Sequence, residues 1–175
     1  ESAYDPRSPY SATKAASDHL VRAWGKTFSL PILITNCSNN YGKYQFPEKL
    51  IPTTIINALS GQDIHIYGNG ENIRDWLFVN DHVQALLLVL AKGMPGRTYN
   101  IGGDCEITNF KLVLKICSIL DEILPSVGSY SDLISFVEDR PGHDKRYAID
   151  TTRIRRELGW EPKTAFPKGL KSTIE

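Results

Sequence analysis

A helix-period stripe that runs straight into a strand sets the fold class of this chain. Ala12, Ala16, Leu20, Trp24 and Phe28 recur every four residues, which makes one apolar face on a helix of roughly five turns. Ser8 stands where an N-cap belongs, Pro9 falls in the first turn where a missing N–H does no harm, and Pro31 ends the run. The β-rich segment 33–37 follows at once, so the order is helix, then strand. A loop is expected at 39–42, a helix at 53–59 stopped by Gly61, and a strand at Ile64–Tyr67. Asn69-Gly70 is a two-residue turn signal, with 74–79 as the expected hairpin partner. Asn80 or Asp81 caps a helix to about Ala91, and Thr98–Ile101 is a strand closed by Gly102-Gly103. Thr108 caps a helix carrying Phe110, Val113, Leu114, Cys117, Leu120 and Leu124. Strands at Ile134–Val137 and 147–149 flank a loop, and a short helix capped by Asp150 or Thr151 stops at Gly159 and Pro162. A last helix starts near Pro167 and is still running at Glu175. Helices alternating with strands predict an α/β fold without internal repeats.

Charge narrows the ligand. Lys+Arg and Asp+Glu both number 20, so no global field draws the chain to nucleic acid or to an anionic membrane. An anionic ligand has to be held by a few placed cations. The longest apolar run, 85–91, is far short of a membrane span, and the first residues carry no basic segment leading into an apolar one. Three cysteines without CxxC spacing fit reduced thiols and a cytoplasmic location. The four histidines (His19, His65, His82, His143) lack ligand spacing, so no metal site is expected.

The most informative pair is Tyr10 and Lys14, one helical turn apart and therefore on one face. An ammonium beside a phenol favours the phenolate, which makes a general base for an alcohol proton. The same spacing also suits an exposed helix pair. The surrounding Ser8-Pro9-Tyr10-Ser11-Ala12-Thr13-Lys14-Ala15-Ala16 resembles the active-site helix of the extended short-chain dehydrogenases/reductases. A second segment, Asn36-Cys37-Ser38-Asn39-Asn40-Tyr41-Gly42 continuing through Tyr44-Gln45-Phe46-Pro47-Glu48-Lys49-Leu50-Ile51-Pro52, is similar to that of the nucleotide-sugar 4,6-dehydratases, specifically the dTDP-glucose branch.

That resemblance covers essentially all 175 residues and points to the C-terminal half of such an enzyme. It implies the last part of a Rossmann-type NAD-binding domain over 1–42, then the smaller α/β substrate-binding domain over 43–175, with some segments returning to the Rossmann part. It implies that the Tyr10 phenolate takes the proton of a sugar 4-hydroxyl while hydride passes to NAD+. Water is then lost across C5 and C6, and the hydride returns to give a 4-keto-6-deoxy sugar nucleotide. Tyr10 and Lys14 are the implied catalytic residues, and Asn40 joins them on the nicotinamide side. The implied substrate contacts are Asn39, Lys49 and Leu50, then His65, Ile66, Tyr67 and Arg74, then Asn109. The loop Asp139-Arg140-Pro141-Gly142-His143 closes the implied set over the diphosphate and ribose. For several of these a plainer reading exists: turn chemistry for Asn39-Asn40, a surface ion pair for Arg74, N-capping for Asn109, a structural role for His143. His65 departs from the proline common at that place in the family. A homodimer is implied, with Leu20, Val21, Trp24 and Phe28 as apolar surface for it or for the chain's own core.

Alternatives within enzymes are a UDP-sugar 4-epimerase, a UDP-glucuronate decarboxylase or a dehydratase for another nucleotide. Outside enzymes the alternative is a nucleotide-sugar-binding module without catalysis. Both ends read as cuts. The 175 residues contain neither a glycine-rich pyrophosphate turn nor the family's Asp-Glu elimination pair. The 175-residue chain by itself is therefore expected to bind NAD+ poorly and to leave dTDP-glucose unconverted. A coupled assay for the 4-keto product, run on the purified chain, checks this, and measurable turnover overturns it.

Overall fold

The computed structural model describes residues 3–175. Helix α1 (Pro9–Phe28) begins as expected: the Ser8 hydroxyl accepts from the Ser11 amide at 3.1 Å, and the Ser11 hydroxyl oxygen accepts from the Ser8 amide at 3.0 Å. Two orphan donors are thereby satisfied reciprocally. Ser29 closes the helix in the left-handed region. The chain continues through β1 (Ile34–Cys37), β2 (Asn39–Tyr41), α2 (Leu50–Leu59), β3 (Ile64–Tyr67) and β4 (Ile73–Phe78). It then forms α3 (Val79–Lys92), β5 (Thr98–Ile101), β6 (Glu106–Thr108) and α4 (Asn109–Ile123). After a 3-10 turn at Tyr130–Leu133 come β7 (Ile134–Val137), β8 (Arg146–Tyr147), α5 (Thr152–Leu158) and α6 (Phe166–Ile174).

Pairing is mostly parallel, which fits an α/β fold with crossover connections. Strand β1 lies parallel to β5, β2 parallel to β4, β3 parallel to β7, and β8 parallel to β4; β6 alone runs antiparallel to β4. Two separate cores result. One gathers Leu77, Ala85, Val89, Tyr99, Ile101, Ile154 and Trp160 between β1, β5, α3 and α5. The other joins Tyr41, Ile51, Ile64, Ile66 and Trp76 to Leu112, Val113, Ile116 and Leu120 of α4. Trp76 and Leu77 are adjacent on β4 yet enter different cores, because successive strand residues point to opposite faces.

Several local expectations are corrected. The 39–42 segment is not wholly loop: Asn39–Tyr41 pairs with 76–78 of β4, and Tyr41 is buried between Trp76, Phe78 and Phe166. Tertiary pairing overrides the turn preference of asparagine. Strands β3 and β4 do not form a hairpin. A type I′ turn needs positive φ at both central residues, and here Gly70 has it while Asn69 does not. The two strands therefore diverge into different sheets. The Glu106–Thr108 strand was unforeseen, and the expected strand 147–149 falls instead at Arg146–Tyr147. Helix α2 begins at Leu50, with Pro52 tolerated in its first turn.

Helix α3 is not capped by Asn80 or Asp81. Its N-cap is Phe78, and the Asp81 carboxylate, 3% exposed, accepts instead from the amides of Lys163 and Thr164 at 3.2 and 2.8 Å. A second buried carboxylate, Asp75, takes the amides of Gly103 and Cys105 at 3.0 and 2.7 Å. Gly103 is there because a Cβ at that place would overlap the Trp76 carbonyl. Asp75 thus holds the turn that returns β5 into β6. Asp75→Ala strands two amides in a nonpolar setting and is expected to cost on the order of 3 kcal/mol in urea unfolding, with a lower midpoint.

Candidate active site

Tyr10 and Lys14 lie one turn apart near the start of α1, both exposed. Tyr10 is 75% accessible, and its phenol is close enough to Lys49 and Tyr147 to act on both electrostatically. Lys49 is raised above its ordinary value, first by its 2.8 Å bond to Glu48 and less by Tyr10. Tyr147 is raised mainly by burial, and its hydroxyl donates to the Cys37 carbonyl at 3.3 Å. Tyr147 was read only as part of a strand. It comes within electrostatic reach of Tyr10 through a strand, β8, that pairs with β4, a long-range contact that no local pattern announces.

The asparagines after β1 are fixed by strand geometry. Asn40 donates its amide to the Ser38 carbonyl at 3.2 Å and to Cys37 Sγ at 3.3 Å. These donations set the amide orientation and leave Oδ1 as an acceptor. Oδ1 of Asn39, Oδ1 of Asn40 and Oε1 of Gln45 are all buried without a protein partner. A cavity of about 180 Å³ is lined by Asn40 and Gln45 of these, with Gly42 and Val79 among others. Buried acceptors of this kind call for a donor from a ligand or water. The turn-chemistry reading of Asn39-Asn40 does not hold, since both residues lie in β2.

Asn109 behaves likewise. Thr108 caps α4 by accepting from the Lys111 amide at 3.3 Å, so Asn109 is not the cap, and its Oδ1 is buried without a partner. On β3 the burial alternates: Ile64 and Ile66 enter the core, while His65 and Tyr67 face out. Ile66 can therefore offer a ligand only its backbone. His65 is held by Ser135 of β7, Nδ1 to Oγ at 2.8 Å. Leu50 opens α2 and packs partly into the larger core.

The cations of the expected diphosphate contact lie on β4 and on the loop after β7. Arg74 is half-buried and folded onto its neighbour's carbonyl (Nη1 to Ile73 O, 2.8 Å), while the Asp75 carboxylate is taken by the Gly103 and Cys105 amides. Burial lowers it from the ordinary guanidinium value, Asp144 opposes that, and Arg140 lowers it further. Two guanidinium groups thus lie within electrostatic reach of each other. The Arg140 guanidinium sits 4.9 Å from the Tyr67 ring centre. Asp139 is held below the usual carboxylate range, first by its bond from His143. Pro141 and Gly142 form the exposed tip of this loop, with Gly142 beside the Arg7 backbone at the root of α1. The loop therefore spans from the Tyr10 helix to β3.

A larger cavity of about 810 Å³ lies elsewhere, lined by Arg22, Asn36, Asn100 and Arg153 among others, and none of the expected site residues lines it. The smaller cavity is the better site, because the unpartnered acceptors of Asn40 and Gln45 belong to residues that line it. Among the described residues no cluster of three or more His, Cys, Asp or Glu could hold a metal. No helix among them is long and apolar enough to cross a membrane.

This arrangement has known counterparts. The family described as GDP-mannose 4,6 dehydratase matches residues 1–173. The dTDP-glucose 4,6-dehydratase of Shigella flexneri is 59% identical over 173 residues, covering 99% of this chain and 48% of that protein. The crystal structure of dTDP-glucose 4,6-dehydratase from Bacillus anthracis str. Ames in complex with NAD superposes with a TM-score of 0.90 at 46% identity, over 99% of this chain and 53% of that one. The Streptomyces venezuelae enzyme with NAD and TYD bound gives 0.91 at 44% identity, over 97% and 51%. The chain spans about half the length of the curated relatives it matches. With its α/β architecture, its Tyr10/Lys14 helix and its match over nearly every residue, this chain belongs to the GDP-mannose 4,6-dehydratase family, among relatives that are dTDP-glucose 4,6-dehydratases.

Proposed function

We propose that this chain supplies the substrate-recognising and proton-abstracting part of an NAD-dependent dTDP-glucose 4,6-dehydratase, a hydro-lyase of deoxysugar biosynthesis. The single observation that supports this most is the pair of guanidinium groups, Arg74 and Arg140, within electrostatic reach of each other in a chain with zero net charge, with Tyr147, the register partner of Arg74, within such reach of Tyr10. Two guanidinium groups held near each other favour an anion between them, and their planar forks match phosphate oxygens.

In this reading Arg74 and Arg140 bind the diphosphate of the nucleotide sugar. The Tyr67 ring and the His65 edge line its path, with the backbone at Ile66, and Lys49, Leu50 and Asn109 meet the nucleoside side. Asn39 Oδ1 accepts from a sugar hydroxyl. The Tyr10 phenolate takes the 4-hydroxyl proton, and the Lys14 ammonium on the same face stabilises the anionic oxygen. Bound NAD+ supplies the acceptor, and later the donor, of the sugar's hydride. The residues present fit that cofactor: Asn40 Oδ1 is a buried acceptor without a partner, suited to an amide donor. Tyr10 and Lys14 would face the same end.

The same reading assigns the core of β1, β5, α3 and α5, with α1, to a Rossmann-type NAD-binding domain. The α2, β3, β4 and α4 core becomes the nucleotide-sugar domain. It also carries a cytoplasmic, homodimeric enzyme. Unpaired cysteines support the first, and Leu20, Trp24 and Phe28, exposed along α1, support the second.

The test is a hybrid in which this chain replaces the matching 173 residues of the Shigella flexneri relative. Tyr10→Phe in that hybrid should leave nucleotide binding by calorimetry intact and lower kcat roughly 100- to 10,000-fold. Survival of turnover would sink the assignment of Tyr10. Arg74→Ala should raise KM for dTDP-glucose roughly 10- to 100-fold, and a smaller rise for a sugar lacking the diphosphate locates the contact.

A further inference from the structure

His143 was expected to touch the substrate, yet both of its ring nitrogens are already engaged within the protein. Nδ1 lies 2.7 Å from Asp139 Oδ1, and Nε2 lies 3.0 Å from Arg140 Nη2. The side chain is 5% exposed. An ionised carboxylate only accepts, so Nδ1 must carry a proton. A guanidinium only donates, so Nε2 must offer a lone pair. One protonation state meets both demands: neutral imidazole with its hydrogen on Nδ1. An imidazolium would set N–H against N–H at Arg140, and the other neutral tautomer would fail at both ends.

The contacts form a chain. The Asp139 carboxylate also accepts the Arg140 amide at 2.8 Å, so one side chain orients the imidazole and the backbone of the residue it serves. The imidazole in turn holds the guanidinium, which rests 4.9 Å from the Tyr67 ring centre of β3. Asp139 packs over the Gly68 turn that ends β3, which anchors the start of the chain to the sheet. Asp144 and Arg74 are the other charges of this neighbourhood. Without the imidazole, Arg140 would be an exposed arginine on a loop, free to swing among many rotamers, which weakens any contact it makes.

We propose that His143 is a positioning residue: fixed by Asp139 as the neutral Nδ1–H tautomer, it acts through Nε2 to pre-orient Arg140 toward a nucleoside diphosphate. This rests on the reading of Arg140 as a diphosphate contact, and it moves His143 from the ligand's contacts to Arg140's support.

Two measurements test it. Two-bond 15N–1H correlation spectra of the 175-residue chain labelled in histidine should show His143 with a protonated Nδ1 and a bare Nε2 at neutral pH; a protonated Nε2 overturns the proposal. In the hybrid enzyme, His143→Phe should raise KM for dTDP-glucose roughly 10-fold, with kcat moved far less. His143→Gln, whose amide oxygen reaches the place of Nε2, should recover most of that loss. Arg140→Ala combined with His143→Phe should be no worse than Arg140→Ala alone. Additive losses would mean that His143 meets the substrate itself, and would overturn the positioning role. If Arg140→Ala leaves KM unmoved while the tautomer is as expected, the reading of Arg140 as a diphosphate contact fails and the tautomer assignment stands.

Discussion

The hydrogen-bond ladder of β4 is the constraint on which the rest of the structure depends. Residues 76–78 pair with β2, 73–75 with β6, and 73–74 with β8. Those pairings draw segments from 39 to 147 against one six-residue strand. Strand alternation then sends Trp76 to one core and Leu77 to the other, so β4 is the wall between them. The same strand presents Arg74 beside the loop of Arg140 and, one residue on, buries Asp75 beneath the turn after β5. Moving β4 by one residue would exchange these roles, because the side-chain period is two.

Two buried carboxylates make that geometry hold. Asp75 and Asp81 are both nearly inaccessible, and both accept backbone amides from distant segments. A carboxylate out of water costs free energy unless hydrogen bonds replace its hydration. Each here is met by two amides, and each satisfies donors that would otherwise be stranded at a turn. Charged residues have been used as fasteners between elements rather than as surface decoration.

The site follows a different rule. Its polar atoms are placed but not all satisfied: the acceptors of Asn39, Asn40 and Asn109 are buried without partners, and Arg74 and Arg140 stand near each other as like charges. Buried acceptors call for donors, and paired guanidinium groups match the oxygens of a phosphate. The internal Asp139–His143–Arg140 chain shows the opposite economy, with both ring nitrogens of His143 met inside the loop.

The sequence by itself determined where most of the helices lie, the caps at Ser8 and Thr108, and the α/β class. Ser8 and Thr108 cap where their local pattern says, because a cap is decided within four residues. Tyr10 and Lys14 share a face for the same reason. Tertiary structure decided how strands pair. Asn39–Tyr41 became a strand and Asn69-Gly70 failed to make a hairpin because β4 and β7 offered better ladder partners. Tertiary structure also decided which groups meet. Tyr147 comes within electrostatic reach of Tyr10, Asp81 clasps residues 163 and 164 rather than its own helix, and Ile66 turns its side chain inward. Each of these joins segments far apart in the chain, and local spacing carries no record of a partner that distant.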